Sequence, residues 1–176
     1  MSPDRPFAVA GILALGIALG GVLVGHGLLI PLLTSGDGLV DQNLARALAN
    51  PLELRVGDAV LVACLVLAAV SHRWGGAAVT TTVTLVAACL AAVDRLLLLP
   101  RMHDAYGRVD LVAGRPADAF AELSAAAGYH TWATVLCACL LVVTSVLVST
   151  PRAADKAKTR PEASASPVPA ELSPVA

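Results

Sequence analysis

The chain has 176 residues, 57% of them hydrophobic and 14% charged, with a mean hydropathy of +0.76 and a net charge of −1. A soluble domain of this size cannot hide so much apolar surface, so lipid must solvate part of it. Near-neutral charge without a basic stripe carrying interleaved aromatics excludes nucleic-acid binding.

Phe7 to Leu33 is an almost uninterrupted apolar run, longer than the ~20 residues that cross a hydrocarbon core. It also exceeds the ~7–15 apolar residues of a signal peptide, and no small-x-small site follows it promptly. A retained first span is therefore predicted. Gly16, Gly20 and Gly27 form a stripe suited to close crossing, with a second copy or a membrane partner as its expected neighbour. His26 sits about a quarter-turn away.

Leu39 to Ala49 (LVDQNLARALA) places Val40, Leu44, Ala47 and Leu48 at helical spacing, which predicts a short interfacial helix or an extension of the next span, broken at Asn50-Pro51. A second span follows over about residues 54–71, with Asp58 near its start and no informative face. His72 and Arg73 then mark a tight interfacial turn.

Residues 77–99 form the third predicted span, closed by Pro100. At ~100° per residue, Thr80, Thr84, Ala87, Ala88, Ala91, Asp94 and Arg95 share one face, opposite Val79, Val86, Leu90, Val93, Leu96 and Leu97. Thr82 falls on the aliphatic side. Small and hydroxylated residues let helices approach in lipid, so the Asp94 face is the one expected to meet protein.

Pro116 to Ala127 (PADAFAELSAAA) predicts a second short interfacial helix or an extension of span four, which covers about residues 130–149 and is closed by Pro151. His130, Thr134, Cys137, Ala138, Leu141 and Ser145 share a face there, opposite Trp132, Val135, Leu136, Val143, Val146 and Leu147. The chain thus divides into a membrane domain, 1–150, and a tail, 151–176. The tail is rich in Pro, Ala, Ser and charge, a composition that predicts disorder. Cys64, Cys89, Cys137 and Cys139 each lie in an apolar run and read as small packing residues.

The predicted fold is an all-α four-helix transmembrane bundle with short amphipathic connecting helices. The lipid bilayer is its first partner. Lys and Arg near the span ends slightly favour both termini in the cytoplasm of a plasma membrane. Abundant alanine and a preference for Arg over Lys suggest a bacterial coding bias. With that orientation, His26 and Asp94 lie about 10 and 8 Å below the outer interface. Asp58 and His130 open their spans on the same side, and His103 follows just above. Four helices therefore bring polar groups to one outer slab.

An ionisable group in the bilayer costs ~2.5–3.5 kcal/mol near the midplane and less towards the ends, so something must offset it. The leading reading is a structural clamp, with Asp94 paired to an Arg or His of a neighbouring helix and Arg95 snorkelling to headgroups. The second is a ligand or metal site of His26, Asp94 and His130, with Asp58 or His103. Imidazole with carboxylate suits copper, zinc or iron, and a His pair could ligate haem. A third is a small-solute or proton pathway. No GxSxG, P-loop, HExxH or CxxC motif occurs, so no cofactor and no enzymatic activity are expected.

The order of GHGLLIPLL, an amphipathic segment before span two, LLLLPRMHDAYGR and His130 resembles a family of small four-span membrane proteins of unknown function. That family includes TMEM-type proteins associated with platinum resistance, and its layout is likened to copper-resistance-D membrane domains. The resemblance covers roughly Gly11 to Val148 and implies a four-helix membrane bundle with no assigned activity. Family members commonly carry Ser and Asn three and seven residues after the histidine, where this chain has Ala133 and Cys137. Anthrone-oxygenase-like membrane proteins share the layout, but their Trp and Arg around the fourth-span histidine are not matched. A membrane oxygenase is accordingly the last of the functional readings.

Overall fold

The structure is a computed structural model, in which the described residues are 5–34, 42–75, 78–108 and 117–149. All of them are helical, and they form four helices long and apolar enough to cross a membrane. Helix α1 covers residues 5–34. It is α-helical over Arg5–Gly20, π-helical over Gly21–Leu29 and α-helical again over Ile30–Thr34. Helix α2 is Gln42–Gly75. Helix α3, Ala78–Arg108, has a π-helical stretch at Asp94–Leu98. Helix α4 is Ala117–Ser149. The tail from Pro151, the start of the first connector at Leu39 and the proline at 116 lie outside the described residues.

Two expected helix breaks do not occur. Helix α2 runs straight through Pro51. A proline inside a helix loses one hydrogen bond and crowds the carbonyl four residues back, at a cost of about 3 kcal/mol. Here Ala49 and Glu53, on either side of it, are both buried against the bundle, and that anchoring holds the helix together. The expected connector and span two are therefore one element.

Helix α3 likewise continues past Pro100 to Arg108. The Leu99 N–H reaches the Asp94 carbonyl, five residues back, which widens the turn where the proline ring must fit. The same device precedes Pro31, where the Ile30 N–H bonds the Gly25 carbonyl. Beyond Pro100 the helix is held by packing. Leu99, Met102 and Ala105 bury against Leu123 and Ala126 of the extended α4, which itself runs through Gly128.

The main core joins Ala14, Ala18 and Val22 of α1 to Val60, Cys64 and Leu67 of α2. Ala88 and Ala91 of α3, with Cys137 and Leu141 of α4, complete it. Cys64 and Cys137 are thus core residues, whereas Cys89 and Cys139 are exposed. The protein-facing side of α3 is the one that its wheel indicates: Thr80, Thr84, Ala87, Ala88, Ala91 and Asp94 are buried. Val79, Val86, Val93, Leu96 and Leu97 are exposed. Thr82, the misfit, satisfies its hydroxyl on the Ala78 carbonyl at 2.9 Å. On α4, Ala133 and Thr144 join the buried face.

At the end of the bundle away from the π turns, the Ser71 hydroxyl donates to the Ala68 carbonyl (2.8 Å). Its oxygen lies 3.0 Å from that of Thr84, tying α2 to α3. The Arg73 guanidinium lies 5.1 Å from the centre of the Phe7 ring, a cation–π contact that fixes the start of α1 against the end of α2.

The close crossing of α1 on α2 uses different glycines from the expected stripe. Gly16 and Gly20 meet nothing within 4 Å, and Gly27 faces only a carbonyl of its own helix. A Cβ on Gly21 or Gly25 would instead stand 2.6 Å from the Cγ atoms of Val60 or Val56. These valines are stiff at χ1 and cannot swing away. Gly25→Ala should therefore lower stability by about 1–3 kcal/mol through overpacking, measured by unfolding in mild detergent. Gly16→Ala should leave it unchanged.

Candidate functional site

Near the rim of the bundle each helix contributes an ionisable side chain. Their placement begins with the two π turns, which hold His26 in α1 and Asp94 in α3. Single π turns inside α-helices are frequent at functional sites because they re-aim the side chains around them. The buried stripe of α3 shows the shift: it runs Thr80, Thr84, Ala87, Ala91, Asp94, then skips five residues to Leu99 and continues at Met102.

His130 is the hub. Its Nδ1 donates to Asp94 Oδ1 at 2.7 Å. Its Nε2 faces Glu53 Oε1 at 3.5 Å. The other oxygen of Glu53 is 3.1 Å from His103 Nε2. His26 sets its ring edge-on to His130, with centroids 5.1 Å apart and an interplanar angle of 65°. Side chains of His130, Asp94 and Glu53 are only 10%, 12% and 8% exposed, so few waters reach them.

Some of the expected residues come together and others do not. His26, Asp94 and His130 form one cluster, and His103 joins it through Glu53. Asp58 and Arg95 form a separate pair, with Arg95 Nε 2.6 Å from Asp58 Oδ1. Arg95 is thus held by a carboxylate of α2. It crosses α2 over Gly57, where an added Cβ would lie 3.0 Å from its Cδ. Asp58 is 47% exposed and stands apart from the histidines.

Glu53 is the residue that sequence reasoning missed. Beginning span two after Pro51 left it in the connector, and made the face of that span uninformative. Once the helix is continued through the proline, Ala49, Glu53, Gly57, Val60, Cys64, Leu67 and Ser71 fall at intervals of three and four residues, and all are buried. That stripe is the signal that would have found it.

Single ligand atoms of His26, Glu53 and His130 all lie within 4.8 Å of one another. The 3.5 Å between His130 Nε2 and Glu53 Oε1 is long for a hydrogen bond. It is close to the ~3.4 Å that separates two ligands on one tetrahedral ion with bonds of ~2.1 Å. Asp94 holds Nδ1 of the same ring, which leaves the Nε2 lone pair directed towards Glu53. Metal-binding histidines are commonly oriented in this way. The cluster opens on a cavity of about 480 Å³, lined by His26, Glu53 and His130 together with residues of all four helices.

Fold and site together define an integral-membrane-type helical bundle with a buried histidine–carboxylate cluster between its helices. Comparison of the chain with family models, curated proteins and solved structures finds no match in any of the three.

Proposed function

We propose that the protein is a non-enzymatic membrane protein that binds one divalent transition-metal ion through His26 Nδ1 or Nε2, His130 Nε2 and a Glu53 oxygen. The observation that carries this reading is His130, whose two nitrogens address two carboxylates from different helices. An orienting partner on one nitrogen and an acidic ligand opposite the other is the arrangement a bound metal needs. Asp94 supplies orientation and compensating charge, and His103 steadies the Glu53 carboxylate. Two imidazoles and one carboxylate suit zinc or iron(II) and leave coordination positions open towards the cavity. The clamp expected between Asp94 and a neighbouring helix is part of the same arrangement, because its partner, His130, is also a ligand. The likeness of GHGLLIPLL and LLLLPRMHDAYGR to a four-span family accompanies this reading as a proposal about layout, and it names no metal.

Zinc titrated into the purified, chelator-treated protein should bind at one ion per chain, measured by calorimetry and elemental analysis. His26→Ala, Glu53→Gln and His130→Ala should abolish binding. Asp94→Asn should weaken it about 10–100-fold, while His72→Ala, an exposed histidine at the far end of α2, should have no effect. Absence of stoichiometric zinc or iron(II) in a monodisperse preparation would contradict the reading.

The weak excess of Lys and Arg favours both termini in the cytoplasm of a plasma membrane, with the metal centre on the outer side. A reporter fused after Ala176 should accordingly be active as a cytoplasmic fusion, and a periplasmic reading would reverse the assignment.

A further inference from the structure

The cavity beside the cluster has a mouth on the side of the bundle. Helix α1 packs chiefly on α2, and α4 chiefly on α3, so contact between α1 and α4 is sparse. Leu23 and Gly27 of α1 and Thr131 and Val135 of α4 line the cavity and are also exposed, Leu23 by 56% and Val135 by 45%. The gap between them therefore faces acyl chains. Its volume of about 480 Å³ lies within the roughly 300–1,000 Å³ of small-molecule sites.

Polar groups on the wall narrow the chemistry of the occupant. Glu53 is the only carboxylate among the described lining residues, and no Lys or Arg is among them. Without a bound metal, an anionic headgroup would meet repulsion and no cation. A cationic one would find both Glu53 oxygens already facing histidines. Asn50 and Tyr106 add neutral polar groups to the wall, and one threonine hydroxyl there is available. Thr82, Thr131 and Thr144 each satisfy theirs on the carbonyl four residues back. Thr134 does not: its Oγ1 is buried without a hydrogen-bond partner on the cavity wall. A buried hydroxyl left unpaired is costly, and a ligand oxygen would satisfy it.

We propose that this cavity takes a neutral, lipid-soluble molecule with an oxygen-bearing end, admitted from the bilayer between α1 and α4 and anchored by the Thr134 hydroxyl. Its apolar part lies along Leu23, Ile30, Val135 and Ala138. The carrying observations are the lateral gap, the wall chemistry and Thr134, so the inference stands apart from metal binding.

The test uses a diazirine-bearing analogue of 1-decanol on the full-length protein in liposomes, with and without chelator. Saturable labelling should map to residues 22–30 of α1 and 131–138 of α4. In the chelator-treated protein excess 1-decanol should compete, and decanoate should not. Leu23→Trp, which narrows the mouth without touching the histidines, should cut labelling at least about fivefold. Thr134→Val should weaken competition by decanol roughly 2–10-fold, the range of one hydrogen bond. Chelation should leave the labelling in place, so a failed metal reading and a failed cavity reading give different results. Labelling spread over the whole lipid-facing surface, equal competition by decanoate, or persistence in Leu23→Trp would overturn the proposal. So would unchanged competition in Thr134→Val. The hydroxyl would then serve the adjoining space of about 20 Å³ beside Asp94, large enough for a water.

Discussion

A histidine addressed at both ring nitrogens by carboxylates from two other helices is the contact on which this architecture turns. His130 of α4 joins Asp94 of α3 at 2.7 Å and faces Glu53 of α2 at 3.5 Å. His26 of α1 lies edge-on against the same ring. About 20 residues cross a hydrocarbon core, which, counted from the His72 end, reaches the level of Glu53. Two carboxylates at that depth are expensive unless paired. Removing His130 would strand Asp94 and leave Glu53 held by His103 alone. The cluster thus fixes the relative heights of three helices at the rim, where the main apolar core of alanine, valine, leucine and cysteine has already ended.

The π turns explain how two regular helices can serve that cluster. Each lies just before a proline, Pro31 in α1 and Pro100 in α3, and each bonds an N–H to the carbonyl five residues back. The extra residue accommodates the ring and rotates the stripe that follows. In α3 this puts Asp94 towards His130 and, one turn later, returns Leu99 and Met102 to the seam with α4. His103, carried on that continuation, reaches Glu53. A helix stopped at Pro100 would hold neither the upper core nor this contact.

Much of this was legible in the sequence, and the gaps have a common cause. Apolar length located the spans, because lipid imposes it. Small and hydroxylated residues identified the buried face of α3 through Ala87, Ala91 and Asp94, since close helix approach in a membrane selects them. His26, Asp94 and His130 could be grouped by depth alone. Reading Pro51 and Pro100 as ends hid the rest. It removed Glu53 from span two and the Leu99–Met102 seam from span three, although both prolines are carried by packing on either side. The glycines of the α1–α2 crossing were hidden for another reason. Gly16, Gly20 and Gly27 follow one regular wheel, but the crossing is made by Gly21 and Gly25, selected by where Val56 and Val60 of α2 lie.

Cluster and cavity form one continuous feature, with charged, paired groups at its floor and aliphatic walls open between α1 and α4. In the proposed reading, a metal ion would take its ligands from three helices and turn its free face towards this space. The most direct test of that account is X-ray absorption at the zinc edge of the zinc-loaded protein. Two imidazole nitrogens and one carboxylate oxygen at ~2.0–2.2 Å are expected, with the imidazole signature reduced in His130→Ala. Sulfur scattering at ~2.3 Å, placing the ion on the cysteines, or a shell of water oxygen alone, would contradict it.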